Sequence, residues 1–297
     1  MRYLICLGLF FSSHAFAQQK SDYGIRHSIV ISGPRTIEIN EQDEVVWDYG
    51  MRSRDMTKLE NGNYLITLRD EVLELSSDKQ VVWKYIRTMN SELMSAERLS
   101  NGNTLVTELG DDPRLVEVNS QGDIAAYIPI LPETDNHHMQ TRMARKLKNG
   151  NYLVPHRIMP FVKEYDKDGG VVRIFRLDLP ELGGPEAKNG SFAAVRLDDG
   201  STVISCASGN RLVIFDKAGQ LSWHLSSPML GGVLNDVCGL QVLKNGNFLV
   251  SCYGNQAKDG LKMIEVNREK QIVWTYQNSS VKYVHNLQVL STNGVRE

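Results

Sequence analysis

Four cysteines in 297 residues are too few for a disulfide framework, and one of them, Cys6, lies in the first apolar stretch. Nine prolines, none gathered into a run, exclude a Pro-rich linker or a polyproline segment. Charge of one sign is missing as well: the formal net charge is -2, and no block of like charges interrupts the chain. A nucleic acid is therefore not an expected partner, because no basic excess exists to displace counterions from phosphates. Nowhere does an apolar run reach the roughly 20 residues that a transmembrane helix needs. The first apolar stretch, residues 4–11, follows Arg2 and precedes Ala15-Phe16-Ala17. Those are the three parts of a secretory signal, so residues 1–17 are expected to be cleaved and the mature chain, 18–297, to reach the periplasm or the exterior. Cys6 sits inside the apolar run rather than just after it, which argues against a lipoprotein anchor.

What the chain does have is a repeat. Asn61-Gly62-Asn63, Asn101-Gly102-Asn103, Asn149-Gly150-Asn151 and Asn245-Gly246-Asn247 each follow a Leu by two positions, and Asp199-Gly200-Ser201 is a variant of the same turn. The spacings of 40, 48, 50 and 46 residues are propeller periods, because each holds four short strands. In the second unit the strands read Ala96 to Leu99, Thr104 to Thr107, Leu115 to Val118 and Ile124 to Ile128. Asn-Gly between apolar runs marks a hairpin, since Gly accepts the positive φ of the turn. Trp47, Trp83, Trp223 and Trp274 recur at one position of the fourth strand and are expected to pack blade on blade. The N-terminal part supplies three strands, the C-terminus a lone first strand from His285 to Leu290, and five complete units lie between. Joining the ends predicts an all-β, six-bladed propeller in one domain, with the ring closed and no free sheet edge inside it.

First strands line the channel of a propeller, and its mouth is the usual place for a site. Stepping back five residues from each turn's Leu gives one ring position per blade: Arg54, Met94, Arg142, Phe192, Cys238 and His285. The facing second-strand column is Leu68, Glu108, His156, Cys206 and Cys252, and positions nearer the turn are expected to stay apolar. On this register Arg142 faces His156, and Cys238 faces Cys252 closely enough for a cross-strand disulfide, with Cys206 left free. Arg54, Arg142, His156, Arg157, His285 and Asn286 form the expected ligand site, a cationic pocket for a carboxylate, sulfate or phosphate group. His156, His285 and Arg142 are the candidate catalytic residues. The adjacent His137 and His138 are read as an exposed loop, since neighbours on a strand point to opposite faces. No metal or other cofactor is expected: Glu92, Asp55, Asp236 and Glu108 fall near the mouth without the spacing of a recognisable metal site.

The blade segments Leu115 to Gly122 and Leu73 to Tyr85, with their Trp-x-Tyr, resemble quinoprotein-like propellers. The run Arg98-Leu99-Ser100-Asn101-Gly102-Asn103-Thr104-Leu105-Val106-Thr107 is similar to blades of the bacterial arylsulfotransferase-like group. That resemblance implies a periplasmic six-bladed fold and, for the second group, sulfate transfer through a channel histidine helped by an arginine. His156, His285 and Arg142 are the residues placed to act so. The leading expectation is an exported propeller that binds a small anionic or carbohydrate-like ligand, or a protein partner, at its mouth. A group-transfer, lyase or hydrolase enzyme and a purely structural interaction module are the alternatives.

Overall fold

The computed structural model describes residues 18–88 and 90–297; the expected signal, residues 1–17, lies outside them. Six antiparallel sheets of four core strands each form the blades. Blades 1 to 5 span residues 55–86, 91–129, 145–176, 191–226 and 237–277. Blade 6 joins the chain ends: His27–Ser32 pairs with Asn286–Thr292, and Ile37–Ile39 and Val45–Asp48 complete it. The inferred ring closure is therefore the observed one. Two short strands add to it. Gln19–Lys20 lies along the outer strand of blade 5, and Val295–Arg296 folds back on the inner strand of blade 6.

The repeated turn has a mechanical explanation. Gly62 donates its N–H to Leu59 O (3.0 Å) at φ +86°, and Leu59 N–H donates to Asn63 O (2.7 Å). Only Gly reaches that φ without strain, which is why it is the constant member. The second Asn serves a different purpose. Asn63 Nδ2 donates to Glu74 on the third strand at 2.7 Å, and Asn151 and Asn247 do the same to Glu164 and Glu265.

Those acids clasp one blade to the next. Glu38 takes Lys58 Nζ (2.8 Å) and Tyr64 Oη (2.7 Å); Glu117 takes Lys146 and Tyr152 Oη in the same way. Glu74 takes Arg98 and Glu164 takes Arg196, at 2.7 and 2.8 Å, and there the facing second-strand residue is Thr104 or Thr202, which accepts the arginine Nε–H. Where blade 4 meets blade 5 every member is apolar: Ile214, Val242 and Phe248 share one core cluster. Blade 5 uses Glu265 with His27 Nε2, 2.8 Å apart and both fully enclosed. Acid and base thus appear together or vanish together, because either alone would be a buried unpaired charge.

The outer tryptophans pack between blades as expected. Trp47, Trp83 and Trp223 donate Nε1–H to Ser77, Asn119 and Arg268 carbonyls of the next blade at 3.0–3.1 Å, and Trp47 stacks on Tyr64 with ring centres 4.0 Å apart.

Candidate arginine and histidine mouth

At the turn end the inner hairpins keep one register, with Arg145 opposite Leu153 and Lys146 opposite Tyr152. Toward the mouth that register breaks. Bulges fall between Ser191 and Ala193 and between Val237 and Leu240, and second-strand hydroxyls take the freed N–H groups: Ser205 from Ala193 (3.0 Å) and Ser251 from Gly239 (2.7 Å). A one-residue slip carries alternate side chains to the other face. His156 consequently sits opposite Thr141 rather than Arg142, and Cys252 opposite Val237 rather than Cys238. The disulfide expectation fails for that reason. Cys206, Cys238 and Cys252 are free and enclosed, and burial pushes the Cys206 and Cys252 thiols up to about 12.

The slip divides the expected site residues. His156 is fully enclosed between blades, against Phe161 (5.1 Å) and with Nε2 3.2 Å from Tyr165 Oη, so it does not reach the mouth. Asn286 lies deeper in the channel, donating to Asp55 Oδ1 at 2.6 Å. Glu108 is occupied by Tyr85 Oη of blade 1 and by Arg114 of its own blade. Arg54, Arg142, Arg157 and His285 do meet at the mouth.

Their partners differ. Arg54 donates to Glu92 Oε2 and Leu93 O, both at 2.7 Å, and Arg157 to Asp236 Oδ1 (3.1 Å) and Ser208 Oγ (2.6 Å). Arg142 is 3 % exposed and has no carboxylate partner among the described residues. Its Nη1 donates to the His138 and Thr141 carbonyls at 2.7 Å, Nη2 touches Met139 Sδ, and the guanidinium lies 5.8 Å from the Phe192 ring centre. Burial, and then Arg157 and Arg54 nearby, push its pKa down to about 9. A guanidinium so placed is enclosed without a directly paired counter-charge, which is costly.

His285 stands beside it, with Phe192 edge-on at 4.9 Å and Tyr253 at 5.9 Å. Its Nδ1 lies 2.5 Å from Arg54 O. A carbonyl only accepts, so Nδ1 carries the proton and Nε2 keeps its lone pair. Burial first, and then Arg142, Arg54 and Arg52, push its pKa down to about 3, so the ring is neutral at pH 7. Arg54 thus fixes the tautomer that exposes a base.

The loop before blade 3 covers one side. Its single 3-10 turn, His137–Met139, sends His138 Nδ1 to Glu92 Oε1 (2.7 Å) and His137 Nε2 to Asp111 (3.1 Å). Burial alone would raise the Glu92 pKa, yet the hydrogen bonds from His138 and Arg54 bring it to about 2. The two histidines therefore hold the loop down, a role their sequence spacing does not show. A cavity of about 680 Å³ opens beside them, lined by Arg69, Glu92, Asp111 and His138.

The channel below holds what the five-residue step missed. Two residues before each turn's Leu stand Thr57, Glu97, Arg145, Val195, Gln241 and Gln288, a mostly polar ring where apolar residues were expected. The same alignment at a different offset exposes this ring in the sequence. Gly239 is required two residues farther in: a Cβ there would lie 2.9 Å from the Asn286 Cα.

The family model described as Mal s 1 allergenic protein-like matches residues 34–242. No curated protein matches the chain. Among solved structures, a Bacteroides caccae protein of unknown function superposes with TM-score 0.78 at 20% identity, over 88% of this chain and 98% of that one. A catalytically inactive histidine-to-alanine virginiamycin B lyase from Staphylococcus aureus, solved with quinupristin, gives TM-score 0.60 at 11% identity, covering 88% and 87%. A nidogen/laminin complex gives 0.60 at 11% identity, covering 89% and 98%. At these identities the likeness is one of fold.

Proposed function

This chain belongs to the Mal s 1 allergenic protein-like family, and we propose that its propeller binds a small anionic ligand at the arginine and histidine mouth. The observation that carries this is Arg142, an enclosed guanidinium with no carboxylate beside it among the described residues. A carboxylate or sulfate ester supplies the missing charge and receives a planar pair of N–H donors. Phe192 and Tyr253 offer an aromatic wall to the ligand's body, so an aryl or ring-bearing anion suits the site better than a bare ion.

A second reading rests on His285. A neutral imidazole with Nε2 free beside a buried cation is the arrangement of a general base or nucleophile acting on an anionic substrate. The lyases among the fold neighbours and the arylsulfotransferase-like resemblance both favour it, the latter with Nε2 attacking the sulfur of an aryl sulfate as the S–O bond to the ring oxygen breaks and the phenolate leaves. On either reading the protein works outside the cytoplasm, and protein recovered there should begin at Gln18 by mass spectrometry. Recovery only in the cytoplasm with Met1 intact would remove that part.

Calorimetric titration of the mature protein with aryl sulfates and aryl carboxylates tests the binding. Arg142→Gln should weaken it at least tenfold, since a charge-assisted hydrogen bond is worth about 1.5–3 kcal/mol. Absence of binding by every anion tried sinks the proposal. His285→Ala separates the readings: a binding module loses affinity, an enzyme loses several orders of magnitude in turnover with folding intact.

A further inference from the structure

The opposite end of the channel carries a second constellation. A cavity of about 720 Å³ opens between the hairpin turns, lined among others by Thr57, Glu97, Arg98, Arg145 and Gln288. It narrows into a space of about 150 Å³ that shares Thr57, Arg145 and Gln288, with Met143, Ala193 and Leu240 among its apolar walls and Gln241 and Asn286 among its polar ones. Both parts have mixed polar and apolar walls, and Arg145 stands where they join.

The ring at this level explains which side chains are free. Gln241 reaches the next inner strand and takes both sides of one peptide: Oε1 accepts from Val289 N–H at 2.7 Å and Nε2 donates to Val289 O at 3.2 Å. Gln288 does the same to Lys58, at 2.7 and 3.3 Å. Glu97 holds the same position, and its Oε2 accepts from Lys146 N–H at 2.9 Å. In the two glutamines the other head-group atom is a donating NH₂, where Glu97 has a second oxygen. A carboxylate has nothing to donate, whereas a carboxylic acid does. The groups acting on Glu97 are Arg145 and Lys146 from blade 3 and Asp55 from blade 1, and burial outweighs the two cations to raise its pKa. Arg145, for its part, has one carbonyl hydrogen bond, to Ala144 O (2.9 Å), and a loose 3.7 Å approach to Asp55, whose oxygens are taken by Asn286 and backbone N–H groups.

We propose that this turn-side end of the channel is a second ligand site, taking a small monocarboxylate on Arg145, beside Glu97, with its apolar body against Met143, Ala193 and Leu240 in the narrow channel. A multiply charged phosphate is the poorer match, because Arg145 is the one charged residue lining the narrow part among the described residues and the amides of Gln241, Gln288 and Asn286 are already engaged with Val289, Lys58 and Asp55. With Glu97 neutral, Arg145 is the ligand's to pair with. As pH rises and Glu97 ionises, the carboxylate competes for the same guanidinium and repels the ligand, so binding weakens.

Butyrate, titrated by calorimetry into the mature protein across a pH series, tests this, with inorganic phosphate as the comparison. Wild type should bind butyrate more tightly than phosphate, and the dissociation constant should rise severalfold as pH climbs. Glu97→Gln should bind with a constant that hardly moves with pH. Arg145→Gln should lose at least tenfold, and Ala193→Leu, which fills the channel from another strand, should lose binding by a second route. Any of three results overturns the proposal: no butyrate binding by folded wild type, an unchanged constant in folded Arg145→Gln, or the same pH slope in Glu97→Gln. Loss in Arg142→Gln but not in Arg145→Gln would place butyrate in the mouth instead, against this site and in favour of the other.

Discussion

The two ends of the channel are built from the same six hairpins, yet they treat charge in opposite ways. At the turn end, Glu38, Glu74, Glu117 and Glu164 each meet a cation from the next blade together with an Asn, Tyr or Thr, and Glu265 meets the His27 imidazole and an Asn. At the mouth, Arg142 is enclosed with no acid beside it among the described residues, and His285 is held neutral among arginines. Completed charge networks hold the blades together. On the proposed reading, a ligand finishes the incomplete one, and the stability given up there is recovered when it binds.

Breaking a clasp should show the largest effect. Glu164→Ala leaves Arg196 half-buried and strips Asn149 and Asn151 of their acceptor, so unfolding by denaturant should show a loss of about 3–5 kcal/mol. A loss below about 1 kcal/mol would mean that the clasps are ornamental.

Moving a clasp sharpens the same point. Val242→Lys or Ile214→Glu alone, in the apolar joint between blades 4 and 5, should each cost about 3 kcal/mol or more as an unpaired buried charge. Together with Phe248→Tyr they recreate the Glu117, Lys146 and Tyr152 arrangement, and the triple variant should recover at least about half of the summed loss. Strict additivity in denaturant melts would defeat this reading of the joint.

The mouth should respond in the reverse direction. Arg142→Met removes an unpaired charge from an enclosed place, so the unliganded protein should be unchanged or about 1 kcal/mol more stable while ligand binding is lost. Substantial destabilisation would make Arg142 a structural residue.

The most gradual effect is in pH. His156 and His285 both have pKa values pushed down to about 3, His156 first by burial and then by Lys163. A histidine whose folded pKa lies below its unfolded value leaves the native state proton-poor, so stability falls as pH drops from about 6.5 toward 3. Each ring contributes at most about 1.4 kcal/mol per pH unit in that window. His285→Asn should flatten the slope by roughly one proton; an unaltered slope in urea melts taken from pH 6.5 to 4.5 would show that its imidazole titrates freely. The clasp acids act lower. Glu74, Glu117, Glu164 and Glu265 sit below their ordinary range, where hydrogen bonds from Asn and cationic side chains overcome the burial that opposes them, so their share is lost as pH falls through those depressed values.

Much of the scaffold was legible because it repeats. Asn-Gly turns, fourth-strand tryptophans and the divided last blade are local signals, each set by the φ of a turn or by one packing position, and they recur in step. The mouth was half legible. Arg54, Arg142 and His285 of the column meet there, with Arg157, which neither column contains, beside them, whereas His156 and the cysteines were misplaced by one residue. The bulges between Ser191 and Ala193 and between Val237 and Leu240 have no composition signal, since a serine hydroxyl on the partner strand decides whether the freed N–H is satisfied.

By itself, then, the amino-acid sequence determined the blade, its number and the way the ring closes, because strand alternation and turn chemistry act over a few residues. The tertiary structure alone decided which side chains meet across blades. That Arg54 O orients the ring of His285, that Glu97 stands in a glutamine's place, and that Arg142 lacks an acid depend on contacts between residues tens to hundreds of positions apart. Their energies come from burial and from the register of bulged strands, neither of which a single stretch of chain contains.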